Sequence, residues 1–198
     1  GHLGGSIDLA DIFSVLYFNE MRYDINNPSW EDRDRLILSI GHTAPVLYAS
    51  LAEAGFFPKD ECMTLRKIGS RLQGHPSKDS KLPGVETSAG SLGQGLGIAI
   101  GMALSAKIDD KNYRTYCVMG DGELQEGSVW EAAMAASNYR LDNLCAIIDR
   151  NRLQIDGSTE NVMALEPLDE KWTSFGWNVV EIDGHDHNDI VDAFDVAR

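Results

Sequence analysis

The sequence predicts an α/β domain built on an open parallel sheet with helices on both faces. Short apolar runs that are typical of buried strands alternate with longer segments whose apolar residues recur at helical spacing. That alternation is the pattern of a parallel sheet covered on both sides. The 198 residues, 43% hydrophobic and 24% charged, are enough for one core and contain no repeat or low-complexity tract. We therefore expect a single domain over residues 1–198.

The first half of the chain supplies one strand and three helices. Apolar residues from Ile7 to Tyr17 recur at helical spacing, and the Asn-Asn-Pro at 26–28 ends that helix. A short apolar run that stops at Gly41 is typical of a buried strand, and Gly55 closes the next helix. The predicted elements are a helix over 6–23, a strand over 35–40, helices over 44–54 and 60–68, and a functional loop rich in Gly, Pro, Ser and Lys over 74–95.

The second half has a more regular rhythm of helices and strands. Gly97 and Gly101 lie in its first helix, at a spacing that lets another backbone come close. The predicted elements are a helix over 96–108, a strand over 114–119, a helix over 128–139, a strand over 144–149, a helix that ends at 172–175, a strand over 177–182 and a helix over 188–197.

Charge and composition exclude several classes of partner. The formal net charge of −14 argues against nucleic acid, whose phosphates need a basic surface. The longest mostly apolar run, residues 96–106, is about half of the roughly 20 residues that a membrane helix needs. Cys62, Cys117 and Cys145 have no CxxC spacing, which favours buried free thiols in a reducing cytoplasm. We expect a cytoplasmic location.

A Gly-Asp-Gly turn at 120–122 is the most informative feature. It follows an apolar strand, and Asn151, thirty positions after Asp121, follows the next strand. Right-handed crossovers bring both strand ends to one sheet edge, where open α/β sheets bind ligands. Carboxylate and amide oxygens suit Mg²⁺ or Ca²⁺ with phosphate oxygens, and an acidic chain that binds a diphosphate needs such a cation. The alternative is that Asp121 only makes a turn and Asn151 only caps a loop.

These residues resemble a family motif. Gly-Asp-Gly, then 28 residues, then Asn151 resembles the thiamine diphosphate motif. The surrounding blocks look like the N-terminal thiamine diphosphate-binding (pyrophosphate) domain of transketolase, or the N-terminal subunit of a split transketolase. The collinear blocks are Gly-His at 1–2, Arg-Asp-Arg at 33–35, Gly-His at 41–42, Gly-His-Pro at 74–76, Gly-Ser-Leu-Gly-Gln-Gly at 90–95, Gly-Asp-Gly-Glu-Leu-Gln-Glu-Gly at 120–127, Trp-Glu-Ala at 130–132 and Ile-Asp-Gly at 155–157.

The resemblance implies where cofactor and metal bind. Asp121 and Asn151 would be metal ligands with the Leu153 carbonyl as third protein donor, for Mg²⁺ or alternatively Ca²⁺ or Mn²⁺. His42 and the Gly122 backbone would meet the diphosphate. The full set of implied cofactor-binding residues is His42, Gly90, Leu92, Gly120, Asp121, Gly122, Glu123, Asn151, Leu153 and Ile155.

The resemblance also implies four catalytic residues. Besides His42 at the diphosphate, His2 and His75 would line the substrate channel, and histidine suits carbonyl polarisation and proton transfer. Within the cofactor set, the Gly90 carbonyl would meet the aminopyrimidine, and Leu92 and Ile155 would pack on the rings. Glu126 would be the interface glutamate linked to the partner's activating glutamate.

Ordinary explanations stay open for the histidines. Gly-His at the start could be a tag remnant, although the following Leu-Gly-Gly-Ser fits the family loop. His42 could cap a helix, and His75 could be a plain loop residue. His185 and His187, beside two aspartates, mimic a metal cluster but are more typical of a solvated loop. We assign neither a role.

The resemblance implies a ketol-transfer enzyme that is incomplete in this chain. Thiamine diphosphate would carry the difficult chemistry in moving a two-carbon ketol unit from a ketose phosphate to an aldose phosphate. The activating glutamate and the aminopyrimidine pocket would come from a companion C-terminal domain or subunit, in a homodimer or heterotetramer. We also expect a domain truncated at both ends. The alternatives are a deoxyxylulose-phosphate synthase, a 2-oxo acid dehydrogenase or a non-catalytic cofactor-binding subunit.

Overall fold

The computed structural model describes residues 2–155 and 157–198. Gly1 and Asp156, which belong to two of the blocks named above, lie outside the described residues. The helices are α1 (Leu3–Asp8), α2 (Ala10–Val15), α3 (Ala44–Ala54), α4 (Gly95–Ile108), α5 (Gly127–Asn138), α6 (Thr159–Val162), α7 (Leu168–Ser174) and α8 (His187–Ala197). The strands are β1 (Arg35–Leu38), β2 (Thr115–Gly120), β3 (Leu144–Asp149), β4 (Leu153–Gln154) and β5 (Gly157–Ser158).

Strands β1, β2 and β3 form a parallel sheet in that order. Ile37 pairs with Cys117, and Cys117 pairs in turn with Ala146 on β3. Since all three strands run the same way, their carboxyl ends lie at one edge of the sheet. This arrangement confirms the predicted parallel α/β fold and places the Gly-Asp-Gly turn at the ligand-binding edge.

Alternate residues of the strands enter two separate cores. Leu36 and Val118 join the core that α2, α3 and α8 complete, and Phe13 and Phe194 are buried in it. The residues between them, such as Ile37, join the opposite core that α4, α5 and α7 complete. Helices therefore cover both faces, as predicted, because each strand is apolar on both sides.

The long first helix is less regular than its periodicity predicts. It is divided into α1, α2 and a π-helical turn over Leu16–Glu20. The division falls at Leu9, which takes ψ near 0° and is only 2% exposed. The predicted helix at 60–68 is instead a 3₁₀ segment over Lys59–Thr64, and no residue within it is buried to support a longer helix.

The strand predicted over 177–182 is wrong. This segment has no regular structure, and Val179 and Val180 are 39% and 45% exposed. A cavity of about 210 Å³, lined by Ala146 and Ile148 on one side, separates its backbone from β3. An apolar pattern indicates that residues favour the strand conformation, but a strand forms only where a neighbouring strand lies at hydrogen-bonding distance. The antiparallel pair of β4 and β5 was not predicted.

None of the helices in the described part of the chain is both long and apolar enough to cross a membrane.

Candidate functional site

Asp121 lies at the end of β2 with its carboxylate almost fully buried, at 1% exposure. Oδ1 accepts a hydrogen bond from the Gly122 amide at 2.7 Å, so Asp121 also caps the 3₁₀ turn over Gly122–Gln125. Oδ2 accepts from the Arg152 amide at 2.6 Å and from Arg150 Nη1 at 2.8 Å. The turn is therefore bonded directly to the segment that carries Asn151.

Asn151 follows β3 and is exposed beside this carboxylate. Its Oδ1 accepts from the Leu153 amide at 2.9 Å, and its Nδ2 donates to Asp149 Oδ2 at 3.1 Å. Leu153 and Ile155 are 66% and 93% exposed, so neither side chain is packed against the described residues. The structure thus brings the predicted oxygen donors to one sheet edge.

The donor set fits a hard divalent cation. Among the described residues, no group of three or more His, Cys, Asp or Glu side chains is arranged to hold a metal. A metal at Asp121 would rely on the Asn151 amide oxygen and a backbone carbonyl, with phosphate oxygens to complete the shell. That mixture is what Mg²⁺ accepts in nucleotide and diphosphate sites.

The glycines of the turn leave room for backbone contact. A Cβ on Gly120 would lie 2.9 Å from Ile40 Cγ2, and one on Gly122 would lie 3.3 Å from Gln154 Cβ. Side chains at these positions would crowd the first strand and the β4 segment. Without side chains there, the turn can bring its backbone close to a ligand, while its three amides donate within the protein to Glu123, to the Asp149 carbonyl and to Asp121.

Glu123 points away from this edge and into the protein, where it is 2% exposed. Its Oε1 accepts from the Ser39 hydroxyl and from the Gly93 amide at 2.8 Å, and its Oε2 accepts from the Gly120 amide at 3.2 Å. Burial raises the pKa of Glu123 above its ordinary value. This carboxylate ties the ends of β1 and β2 to the loop at 90–95.

That loop carries two other predicted residues. Gly90 has φ of 154° and Gly93 has φ of 80°, conformations that favour glycine. A Cβ on Gly93 would lie 2.6 Å from Glu126 Cβ, so the exposed Glu126 packs directly on the loop. Leu92 is half-buried against the core that contains α2 and α3.

The three predicted histidines gather around this loop. The rings of His2 and His42 have centroids 4.7 Å apart, and the His2 amide donates to the His42 carbonyl at 2.7 Å. A Cβ on Gly90 would lie 3.8 Å from His75 Cγ. Burial, followed by the proximity of His2 and His75, lowers the pKa of His42. The lowered pKa favours the neutral imidazole of His42, which can donate one hydrogen bond and accept another.

Sequence reasoning missed Arg150 and Asp149 as members of this site. Arg150 bonds the Asp121 carboxylate, and its only sequence signal is a basic residue directly before Asn151 in an acidic chain. Burial, followed by a hydrogen bond with Asp8, raises the pKa of Asp149 to about 7. His185 and His187 pair with Asp8 and Asp11, and Asp8 and His185 line the same cavity as Asp149 and Asn151.

Fold and site together define an α/β domain with an Asp-Asn pair and glycine turns at the carboxyl edge of a parallel sheet, the edge at which open α/β sheets bind ligands. The family described as "Transketolase, thiamine diphosphate binding domain" matches residues 1–198. The chain belongs to this family.

Individual relatives agree with that assignment. One subunit of the apulose-4-phosphate transketolase of Phocaeicola vulgatus is 47% identical over 98% of this chain and 68% of its own length. The 6-deoxy-6-sulfo-D-fructose transketolase subunit SqwG of Clostridium sp. is 46% identical over 100% of this chain and 72% of its own. The solved transketolase of Leishmania mexicana superposes with a TM-score of 0.87 at 35% identity, over 93% of this chain.

The chain corresponds to the N-terminal part of these enzymes. It spans 29% of the length of the Leishmania mexicana transketolase chain. The relatives are transketolases and transketolase subunits, which favours this assignment over the deoxyxylulose-phosphate synthase, 2-oxo acid dehydrogenase and non-catalytic alternatives.

Proposed function

We propose that this chain holds thiamine diphosphate and a divalent metal ion as the N-terminal half of a transketolase. The complete enzyme would move a two-carbon ketol unit from a ketose phosphate to an aldose phosphate. The observation that carries the proposal is the 1% exposed Asp121, which is bonded to the Asn151 segment at the carboxyl edge of the sheet. Residues 1–198 act as one cofactor-binding domain in this proposal.

The roles proposed for the oxygen donors are supported by the resemblance to the family motif and by the common sheet edge of Asp121 and Asn151. Asp121, Asn151 and the Leu153 carbonyl hold Mg²⁺, which neutralises the diphosphate in a chain of net charge −14. The Gly120–Gly122 backbone and His42 hold the diphosphate itself. When bound, thiamine diphosphate supplies the nucleophile and the electron sink for cleaving the bond beside a ketose carbonyl.

The histidines serve the substrate in this proposal. His42 has a lowered pKa, so it is a neutral hydrogen-bond donor beside the diphosphate. His2 and His75, both exposed next to it, orient the sugar phosphate and move its protons. The Gly90 carbonyl would meet the aminopyrimidine, and Leu92 and Ile155 would pack against the cofactor rings.

A companion C-terminal domain or subunit completes the site, in a homodimer or heterotetramer. The exposed face of α4 supports such a partner, because a Cβ at Gly97 or Gly101 would meet no atom of the described residues within 4 Å, and Ile98 between them is 36% exposed. Two relatives are themselves named as transketolase subunits. Cys62, Cys117 and Cys145 are free thiols, which suits a cytoplasmic enzyme.

Reconstitution tests the proposed function. The purified chain with thiamine diphosphate and Mg²⁺ should show no ketol transfer, because its activating glutamate is supplied in trans. Addition of the companion chain should produce turnover of a ketose phosphate with an aldose phosphate acceptor, measured by coupled product assay. Turnover by this chain alone would contradict the proposal that the companion chain supplies the activating glutamate.

Asp121→Ala tests the metal assignment in the reconstituted complex, and Asp60→Ala is its control. Metal-dependent binding of thiamine diphosphate should be lost in calorimetry, because the remaining acidic site would face the diphosphate without its cation. Asp60→Ala, on an exposed 3₁₀ segment, should bind as the wild type does. Unchanged affinity in Asp121→Ala would refute the metal assignment.

A further inference from the structure

Arg150 makes four side-chain hydrogen bonds at the edge of the proposed metal site. Nη1 donates to Asp121 Oδ2 at 2.8 Å and to Thr159 Oγ1 at 2.7 Å. Nη2 donates to Glu160 Oε1 at 2.8 Å and to Glu166 Oε1 at 2.7 Å. One guanidinium thus faces three carboxylates, and its side chain is only 19% exposed.

These bonds join three segments that are distant along the chain. Asp121 belongs to the turn after β2, Glu160 to α6, and Glu166 to the stretch that leads into α7. Both glutamates are fixed further, since Glu160 Oε1 accepts from the Leu165 amide and Glu166 Oε2 from the Leu168 amide, each at 3.0 Å. Arg150 therefore fastens residues 159–168 beside the Asp121 turn.

The same bonds determine which oxygen of Asp121 remains for a cation. Oδ2 already accepts from Arg150 and from the Arg152 amide, whereas Oδ1 accepts only from the adjacent Gly122 amide among the described residues. A guanidinium can hold a carboxylate and a second acid at once through its planar fork of donors, which the single ammonium of a lysine cannot reproduce. The arrangement leaves Oδ1 as the more available ligand oxygen.

We propose that Arg150 is a positioning residue for the metal site. It orients the Asp121 carboxylate so that Oδ1 is presented to the cation, and it holds residues 159–168 against the site. The inference rests on the proposed function, because it assumes that Asp121 binds the metal. It adds a residue that acts on the metal through Asp121 rather than as a ligand.

Metal titration of the reconstituted complex tests the orienting role. With saturating thiamine diphosphate, Arg150→Met should raise the Mn²⁺ concentration at half-saturation, followed by electron paramagnetic resonance, by about 10-fold, as for other partners that orient a metal ligand. The half-saturating Mn²⁺ concentration of Arg150→Lys should lie between those of Arg150→Met and the wild type. Lysine keeps the positive charge but lacks the planar set of donors of the guanidinium. Arg140→Met, which removes an exposed arginine elsewhere, should match the wild type.

Hydrogen exchange of the chain without metal or cofactor supplies a second readout. Arg150→Met should speed exchange at the amides of Arg152, Leu165 and Leu168, whose acceptors are the three carboxylates that Arg150 holds. Exchange in β2, as an internal reference, should stay unchanged. Arg140→Met should alter none of these amides.

The outcomes separate this inference from the proposed function. Equal half-saturation by Mn²⁺ in the wild type and in Arg150→Met, with Asp121→Ala inactive in binding, would overturn the inference and leave the metal site intact. Metal binding that is indifferent to Asp121→Ala would overturn the proposed function, and with it the role of Arg150 toward metal. Unchanged exchange of these amides in Arg150→Met would show that Arg150 does not hold residues 159–168 in place.

Discussion

At the scale of single residues, buried carboxylates decide the shape of the cofactor edge. Asp121 and Glu123 are two positions apart, yet Asp121 is bonded to the segment after β3 and Glu123 to the loop at 90–95. Each is at most 2% exposed, and each accepts three hydrogen bonds. Buried charges persist only with such partners, so the turn is fixed from both sides before any ligand binds.

Comparison of the wild type with Glu123→Gln should show the burial of Glu123 as a pH dependence of the folding stability. An acid whose pKa is raised by folding favours the fold most when protonated, below its unfolded value of 4.5, and less as pH rises through the folded pKa. The stability of the wild type relative to Glu123→Gln should therefore fall as pH rises from 4.5 through the raised folded pKa. Urea unfolding at several pH values measures this difference.

The exposed Glu170→Gln serves as the control for that comparison. Its stability relative to the wild type should hardly change over the same range, since an exposed carboxyl interacts similarly in both states. A wild-type advantage over Glu123→Gln that stays constant, or grows, with pH would show that the Glu123 carboxyl is not desolvated as the structure indicates.

At the scale of elements, a cluster of ion pairs connects α1 and α2 to the start of α8. Asp11 accepts from His185 and His187 at 3.0 Å each, and Asp8 lies 3.2 Å from His185 Nε2. The hydrogen bond with Asp11 raises the pKa of His185 and the one with His185 lowers the pKa of Asp11. The histidines are exposed and the aspartates only partly buried, so the contribution of these pairs to stability is small.

Asp11→Asn should reduce the pH dependence of folding stability that comes from this cluster. Because the folded pKa of His185 is above 6.5, its stabilisation is complete below that value and is lost as pH rises through the folded pKa. The wild type should therefore have its full advantage over Asp11→Asn below pH 6.5, and this advantage should shrink as pH rises above that value. Thermal unfolding at a series of pH values tests it.

Asp60→Asn, at an exposed aspartate of a 3₁₀ segment that is not among the acids paired with His185 or His187, should show no such trend. If the difference between wild type and Asp11→Asn did not vary with pH, the histidines would not be paired with Asp11 in solution.

At the scale of the whole molecule, the exposed face of α4 is unusual for its composition. Gly97 lies in the first turn of α4 and Gly101 in its middle, and a glycine in a helix interior costs about 0.5–1 kcal/mol relative to alanine. No neighbour in the described part of the chain occupies the space beside them. Such a face is suited to a second backbone at close range, which is what the proposed companion subunit would place there.

Gly101→Leu should have opposite effects on the stability of the isolated chain and on its association with the companion chain. The isolated chain should become more stable, because leucine is the better helix former and its Cβ would meet no described atom within 4 Å. Association with the companion chain should be weakened, since the larger side chain would hold the second backbone away. Thermal unfolding measures the first effect, and sedimentation of the mixed chains measures the second.

Gly101→Ala provides the matched variant, with the gain in helix propensity but little added volume. It should associate more tightly than Gly101→Leu. Equal association of Gly101→Leu and wild type would place the companion chain elsewhere on the surface.

Local patterns in the sequence were sufficient for much of this architecture. β3 and α3 have the bounds that were predicted, and β1, β2, α4, α5 and α8 differ from prediction by one or two residues at an end. Periodicity and glycine stops depend on neighbours along the chain, so they can be read without coordinates. The common edge for Asp121 and Asn151 also follows from sequence, because parallel crossovers have a fixed hand.

The sequence by itself thus determined the sheet, its helices and the edge at which the Gly-Asp-Gly turn lies. Only the tertiary structure decided that Arg150 holds Asp121, that Glu123 faces the loop at 90–95, and that residues 177–182 are not a strand. The physical reason is that these features depend on which groups meet across long stretches of chain. A side chain's partner, or a strand's neighbour, is set by packing and not by its own local pattern.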